Sequence, residues 1–187
     1  MENQQPRWPA SLPGHFPYAA KQKNKLFLIT GDSGVGKTTW CRELVESARS
    51  NGCRVVGLLS PPVVANARKV AIDLVDLATG ERRQLARLRQ SEASPGSVST
   101  GEWLFDAAVL AWGNEVLRRI TAVDLLIIDE LGPLEFEKGH GLQTAFPLIE
   151  AEHYQLAMVV IRPSLLAQTQ QRWPGAQVIP ITKEPVP

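Results

Sequence analysis

Residues 25–40 read KLFLITGDSGVGKTTW, and the order of chemistry along them decides the fold. Lys25 to Thr30 is a short apolar run of the kind that makes a strand buried on both faces. Gly31-Asp32-Ser33-Gly34-Val35-Gly36-Lys37-Thr38 then fills every fixed position of G-x-x-x-x-G-K-[ST]. From Lys37 to Ser50 the pattern becomes helical: Trp40, Leu44 and Ala48 recur every four residues as an apolar stripe, and Asn51-Gly52 supplies a stop.

Each position of this loop has a physical task. Glycines admit backbone angles closed to other residues, which turns several N–H groups inward as an anion nest. The following helix adds the positive end of its dipole. Lys37 is placed to reach the β- and γ-phosphates of a nucleoside triphosphate, and the Thr38 hydroxyl to bind Mg²⁺. Thr39 offers a second hydroxyl, but spacing assigns the metal to Thr38. The expected nucleotide contacts are Gly31, Asp32, Ser33, Gly34, Val35, Gly36, Lys37, Thr38 and Thr39. The pattern recurs by chance in on the order of one chain in a hundred of this size, so the flanking strand and helix are what give it weight.

Outward from the loop, strand and helix patterns alternate. Arg54 to Ser60 reads as a strand ended by Pro61-Pro62. Lys69 to Leu77 and Gln84 to Leu88 read as a hairpin about the turn Ala78 to Glu81. Ser91 to Gly101 is rich in Ser, Pro and Gly and reads as a mobile loop. Phe105 to Ile120 is helical, with Val109, Trp112, Val116 and Ile120 on one face. Further on come a strand at Asp124 to Asp129, a helix at Gly141 to Glu152 with Pro147 as a possible kink, a strand at Gln155 to Ile161, a short helix at Ser164 to Arg172 and a strand at Gln177 to Ile181. The alternation predicts an α/β fold with a doubly wound, mostly parallel sheet and a small β-hairpin insertion. Ligands then bind beyond the carboxyl ends of the strands.

Residues 1–24 carry Pro6, Pro9, Pro13 and Pro17, which forbid helix and ladder. They are expected to form a flexible tail ahead of a domain spanning 25–187, with Trp8, Phe16 and Tyr18 available to a protein partner.

Leu125-Leu126-Ile127-Ile128-Asp129-Glu130 ends a buried strand on two carboxylates. Beside a phosphate loop, Asp129 is expected to hold Mg²⁺ and Glu130 to act as the base that orients and deprotonates water. Lys37 belongs to the same catalytic set. Gly132-Pro133 makes a rigid turn, and Glu135 is either a second acidic group of the site or a surface carboxylate. Arg68, Arg82, Arg83, Arg87 and Arg89 are candidate arginine fingers or a solvated face; Arg162, just past a strand, is the better candidate for a phosphate sensor. His15, His140 and His153 share no ligand spacing. Trp40 and Trp112 read as core.

TGDSGVGKTT, KVAIDLVDLATGE and above all LLIIDELGPLE resemble the small P-loop nucleoside-triphosphatases of the THEP type, over roughly residues 25–182. The resemblance implies a sheet of the RecA-like kind and slow, Mg²⁺-dependent hydrolysis of ATP, GTP and other nucleoside triphosphates to diphosphate and phosphate. It departs at Ala67 to Ile72, where the family has an Arg-x-Gly-Phe-like stretch, and at Ile181 to Glu184, where it has an Asn-Arg-Asp-like one. Two other functions fit the same scaffold: a nucleotide or small-molecule kinase, and a nucleotide-switched binding module.

The bulk composition sets outer limits. The chain is 187 residues long, 44% hydrophobic and 21% charged, with a net charge of +1; this suits one globular domain and gives no pull toward nucleic acid or anionic membranes. The two cysteines, Cys41 and Cys53, make no disulfide framework. No apolar run is long enough to span a membrane, and no apolar signal core opens the chain. A cytoplasmic location is expected.

Overall fold

The computed structural model describes residues 25–89 and 97–182. The tail at 1–24, the first part of the loop expected at Ser91 to Gly101, and Lys183 and Glu184 lie outside the described residues.

In chain order the elements are β1 (Lys25–Thr30), α1 (Lys37–Ser50), β2 (Val55–Leu59), β3 (Pro62–Ala65), β4 (Arg68–Asp76), β5 (Arg82–Leu88), β6 (Ser97–Thr100) and β7 (Trp103–Asp106). There follow α2 (Ala107–Arg118), β8 (Val123–Leu131), α3 (Pro133–Phe136), α4 (Ala145–Glu150), β9 (Tyr154–Ile161), a 3₁₀ turn (Pro163–Leu165), α5 (Leu166–Arg172) and β10 (Gln177–Pro180). One sheet runs β10-β1-β9-β8-β2-β4-β5-β7-β6, with β3 paired to β4. Its first five strands are parallel, and the rest are joined antiparallel. The expected hairpin is present as β4–β5, within a larger antiparallel block than one hairpin.

Strand β9 separates β1 from β8, so the glycine loop and the acidic strand end flank the carboxyl end of a middle strand. Alternate residues of β1 point to opposite faces. Leu26 and Leu28 join a core covered by residues of α2 to α5; Phe27 and Ile29 join a second core under Trp40, Cys41, Leu44, Val45 and Ala48 of α1. These strands are buried on both faces, which is why they read as unbroken apolar runs.

Several sequence expectations change. The second strand ends ahead of Pro61-Pro62 as expected, but Pro62 itself opens β3, an edge strand bonded only to β4, where a missing N–H is tolerated. Part of the expected mobile loop, Ser97–Thr100, is strand β6. Phe105 lies within β7 rather than opening a helix, because the Asp106 carboxylate caps α2 by accepting from the N–H groups of Ala108 and Val109. The buried face of α2 is Val109, Leu110, Gly113 and Leu117, and Trp112, Val116 and Ile120 are only half-buried around it. Gly113 sets that face: a methyl group there would lie 2.8 Å from side-chain carbons of Leu74 and Leu142, so the helix docks on the residue that a hydrophobic pattern cannot see. The helix expected over Gly141 to Glu152 is confined to α4, and Pro147 lies in its first turn, where its missing N–H causes no kink.

Candidate functional site

The loop between β1 and α1 takes the backbone form its glycines predict. Gly31, Gly34 and Gly36 have φ of 150°, 78° and 105°. At Gly31 a side chain is excluded twice over, since a Cβ would sit 2.2 Å from the Ile181 carbonyl oxygen. Asp32, Ser33, Gly34 and Thr39 are exposed, while Val35, Gly36, Lys37 and Thr38 are half-buried. The Lys37 ammonium reaches back across the loop and donates to the carbonyls of Gly31 (2.7 Å) and Asp32 (2.8 Å). It therefore stands inside the curl of the loop, where a polyphosphate anion would meet it.

Asp129 comes from β8, two strands away. It is 2% exposed and continues the alternation of Leu125 and Ile127 toward the α1 face. Its carboxylate accepts from the Ser60 N–H at 2.9 Å and from the Thr38 hydroxyl. The Ser60 hydroxyl in turn donates to the Asp129 carbonyl at 2.8 Å. Burial pushes the Asp129 pKa up to about 6, and the nearby Glu130 charge adds to this, while the hydrogen bonds from Ser60 and Thr38 and the charge of Lys37 oppose it. A buried carboxylate touching a threonine hydroxyl at the mouth of an anion-binding loop is a hard-oxygen donor pair that suits Mg²⁺. Among the described residues no cluster of three His, Cys, Asp or Glu side chains could hold a metal alone, so phosphate oxygens and water would complete the shell.

Glu130 is not a regular strand residue. Between Ile128 and Leu131 the parallel register with β9 slips: Ile128 pairs with Val159, Leu131 with Ile161. β8 thus holds one extra residue, a bulge, and such devices gather near active sites. Leu131 takes the core-facing place and is fully buried; Glu130 is forced outward at φ 82°, a left-handed angle that costs a non-glycine residue about 1–3 kcal/mol. Its carboxylate pairs with Arg162, just past β9, whose Nε and Nη2 lie at 2.7 and 2.6 Å. Arg162, expected as a phosphate sensor, stands beside the expected base.

Glu135 is not the surface carboxylate of the second sequence reading. It is 8% exposed, and its carboxylate accepts from the N–H of Gly132 (2.8 Å) and of Leu142 (3.0 Å). Burial raises its pKa against those hydrogen bonds. It staples the turn after β8 to the segment before α4.

Of the basic cluster, Arg82 pairs with Asp73 at 3.4 Å, and Arg83 pairs with Glu81 at 2.7 Å and lies over the Trp112 ring. Trp40 is core, as expected. One residue of the site carried no signal that drew attention in the sequence, Ser60, the last residue of an apolar run; Lys69 likewise drew none, and its ammonium shares an electrostatic neighbourhood with Glu130, Arg162, Asp129 and Lys37.

A mixed sheet with a five-stranded parallel half, a strand–loop–helix anion nest and an acidic strand end two strands away define a P-loop α/β protein. Known proteins narrow the class. The profile of the NTPase family matches residues 26–185, and the chain belongs to that family. It is 34% identical over 119 residues to the nucleoside-triphosphatase THEP1 of Saccharolobus solfataricus, covering 63% of this chain and 66% of that one. It is 38% identical over 120 residues to THEP1 of Pyrobaculum aerophilum, covering 63% and 65%, and 30% identical over 142 residues to THEP1 of Thermofilum pendens, covering 75% and 76%. The chain thus spans just under two thirds of the length of the first two relatives. The solution structure of a human cancer-related nucleoside triphosphatase superposes with a TM-score of 0.66 at 24% identity, covering 86% of this chain and 90% of that one; this likeness shows the fold. Among the described residues no helix is long and apolar enough to cross a membrane.

Proposed function

We propose that the chain is a Mg²⁺-dependent nucleoside-triphosphatase that hydrolyses ATP, GTP and other nucleoside triphosphates to diphosphate and phosphate, acting in the cytoplasm as residues 25–187 of one domain. The observation that carries the reading is the convergence of Lys37, Thr38, Asp129 and Glu130 at the carboxyl edge of one parallel sheet, with Asp129 bonded to Thr38.

In this reading Gly31 to Thr39 cradle the phosphates through backbone N–H groups, and Lys37 exchanges its two carbonyl partners for β- and γ-phosphate oxygens. Thr38 and Asp129 hold Mg²⁺, which when bound neutralises charge on those oxygens. Glu130 accepts a proton from water as the water oxygen bonds to the γ-phosphorus and the bond to the β–γ bridging oxygen breaks. The diphosphate leaves with the bridging oxygen, and inorganic phosphate carries the water oxygen. Arg162 holds the Glu130 carboxylate until water and substrate arrive. The free thiols Cys41 and Cys53, both buried, support a reducing compartment. The net charge of +1 supports a nucleotide rather than a nucleic acid as the ligand.

The test is phosphate release from ATP, GTP, CTP and UTP in turn, with and without Mg²⁺, for wild type and Lys37→Ala. Free phosphate from several nucleotides with no acceptor, dependent on Mg²⁺ and lost with Lys37, is the expected result. Release that requires an added metabolite, with a phosphorylated product, would make the protein a kinase instead.

A further inference from the structure

Strands β2 and β3 are two pieces of one path with a bend at Ser60-Pro61. β2 ends level with the acidic end of β8, because Ser60 bonds both the carboxylate and the carbonyl of Asp129. β3 begins past that point and pairs only with the first half of β4. The β3–β4 hairpin, with its tight turn at Asn66 and Ala67 in left-handed angles (φ 50° and 57°), therefore projects beyond the carboxyl edge of the parallel strands. That edge is where the phosphate loop and Glu130 lie.

Lys69 stands on this hairpin, opposite Val64 in register. Its ammonium lies 4.9 Å from the centre of the Trp103 ring. Trp103 is held on β7, paired with Leu88 of β5, so a second antiparallel element restrains the lysine head group. Desolvation holds the Lys69 pKa below its ordinary value; Glu130 and Asp129 pull it up, and Arg162 and Lys37 push it down. Two carboxylates and two cations of the nucleotide site thus share an electrostatic neighbourhood with a residue from a different part of the sheet.

From the hairpin's position and the stacking on Trp103, we infer that Lys69 is a further catalytic residue: a cation delivered from above the sheet edge that contacts the terminal phosphoryl oxygens, opposite Lys37. This rests on the nucleoside-triphosphatase reading and names a contact within it. The chemical logic is that of a cation supplied to the transferring phosphoryl group, where negative charge on its outer oxygens must be met by fixed donors. A diphosphate offers no terminal group at that place, so Lys69 separates triphosphate from diphosphate.

Lys69→Met and Lys69→Arg test this in the full chain. Methionine keeps an apolar stem on Trp103 and removes only the charge, and equal melting temperatures by circular dichroism confirm an intact fold. Lys69→Met should lower kcat for Mg²⁺-dependent phosphate release by about 10²–10³-fold, the range for one lost donor to a developing anion. Calorimetry should show weaker binding of a non-hydrolysable triphosphate with diphosphate affinity unchanged. Lys69→Arg should recover most of kcat. A Lys69→Met enzyme with wild-type kcat, or one that loses triphosphate and diphosphate affinity equally, overturns the assignment. Should the wild type release no phosphate, the hydrolase reading fails by itself; the comparison of triphosphate with diphosphate affinity then still decides for or against Lys69.

Discussion

Asp129→Asn should stabilise the ligand-free protein. Asp129 is 2% exposed, and burial moves its pKa from 3.8 to about 6. An unfolded chain therefore ionises this carboxyl near the ordinary value, and the native protein only near 6. Between those values the native state holds one more proton than the unfolded state, so stability falls as pH rises through that window and stays lowered above it. The interval converts, at about 1.4 kcal/mol per pH unit, to a ceiling of about 3 kcal/mol. Asparagine removes the charge and keeps an oxygen for the Ser60 N–H. The expected gain is about 1–3 kcal/mol at about pH 8, or about 2–4 °C in melting temperature per kcal/mol for a domain of this size. By about pH 4.5 the wild-type carboxyl is protonated in the native state, and more than half of the gain should vanish. Thermal melts by circular dichroism in chelator, at the two pH values, read this directly. With Mg²⁺ and a triphosphate analogue the order should reverse, because only the wild type gains the stabilisation of tight binding. A variant no more stable than wild type at the higher pH, or one whose advantage is the same at both, would refute the claim that an uncompensated buried charge sits at this strand end.

Other substitutions separate chemistry from architecture. Glu130→Gln should keep nucleotide affinity and cut turnover by at least about 10²-fold in a phosphate-release assay. Glu130→Gly should be as inactive, yet more stable by about 1 kcal/mol in urea titration, because glycine accepts the φ of 82° without strain. Glu135→Ala leaves the N–H groups of Gly132 and Leu142 unmet and should cost about 2–4 kcal/mol by the same titration. Gly113→Ala forces a methyl to within 2.8 Å of Leu74 and Leu142 and should cost about 1–3 kcal/mol.

The parts legible from sequence were those in which local pattern and global position agree. β1 and α1 lie where apolar run and helical stripe place them, since a loop motif pins both ends. The acidic strand end is legible only together with the phosphate loop, because an apolar run followed by Asp-Glu is by itself as readily a helix start or a solvated turn. What escaped was tertiary. The extra residue in β8 exists only relative to β9, and no property of Asp129 or Glu130 announces it. Gly113 reads as a neutral position in α2 until Leu74 and Leu142 are set against it. Pro61-Pro62 reads as a stop, but an edge position lets the strand resume as β3. Lys69 only opens a β-rich run in the sequence, and it takes the strand pairing to show that its hairpin runs past the end of β2.

The strain at Glu130 and the buried carboxylate of Glu135 belong to one arrangement. A bulge that forces Glu130 outward would relax unless the chain were fixed on both sides of it. Before it, Ser60 clamps Asp129 through two hydrogen bonds. After it, Leu131 returns to the core, and Glu135 holds the Gly132 N–H from within α3 while gripping Leu142 beyond it. The run Asp129 to Glu135 thus carries three carboxylates in three environments. Asp129 is buried against a hydroxyl and an amide, Glu135 is buried against two amides, and Glu130 stands half-exposed beside a guanidinium. The outer two restrain the backbone so that the middle one faces Arg162, at a cost of about 1–3 kcal/mol. The half-exposed carboxylate proposed as the base is thereby held in place by two carboxylates buried away from water.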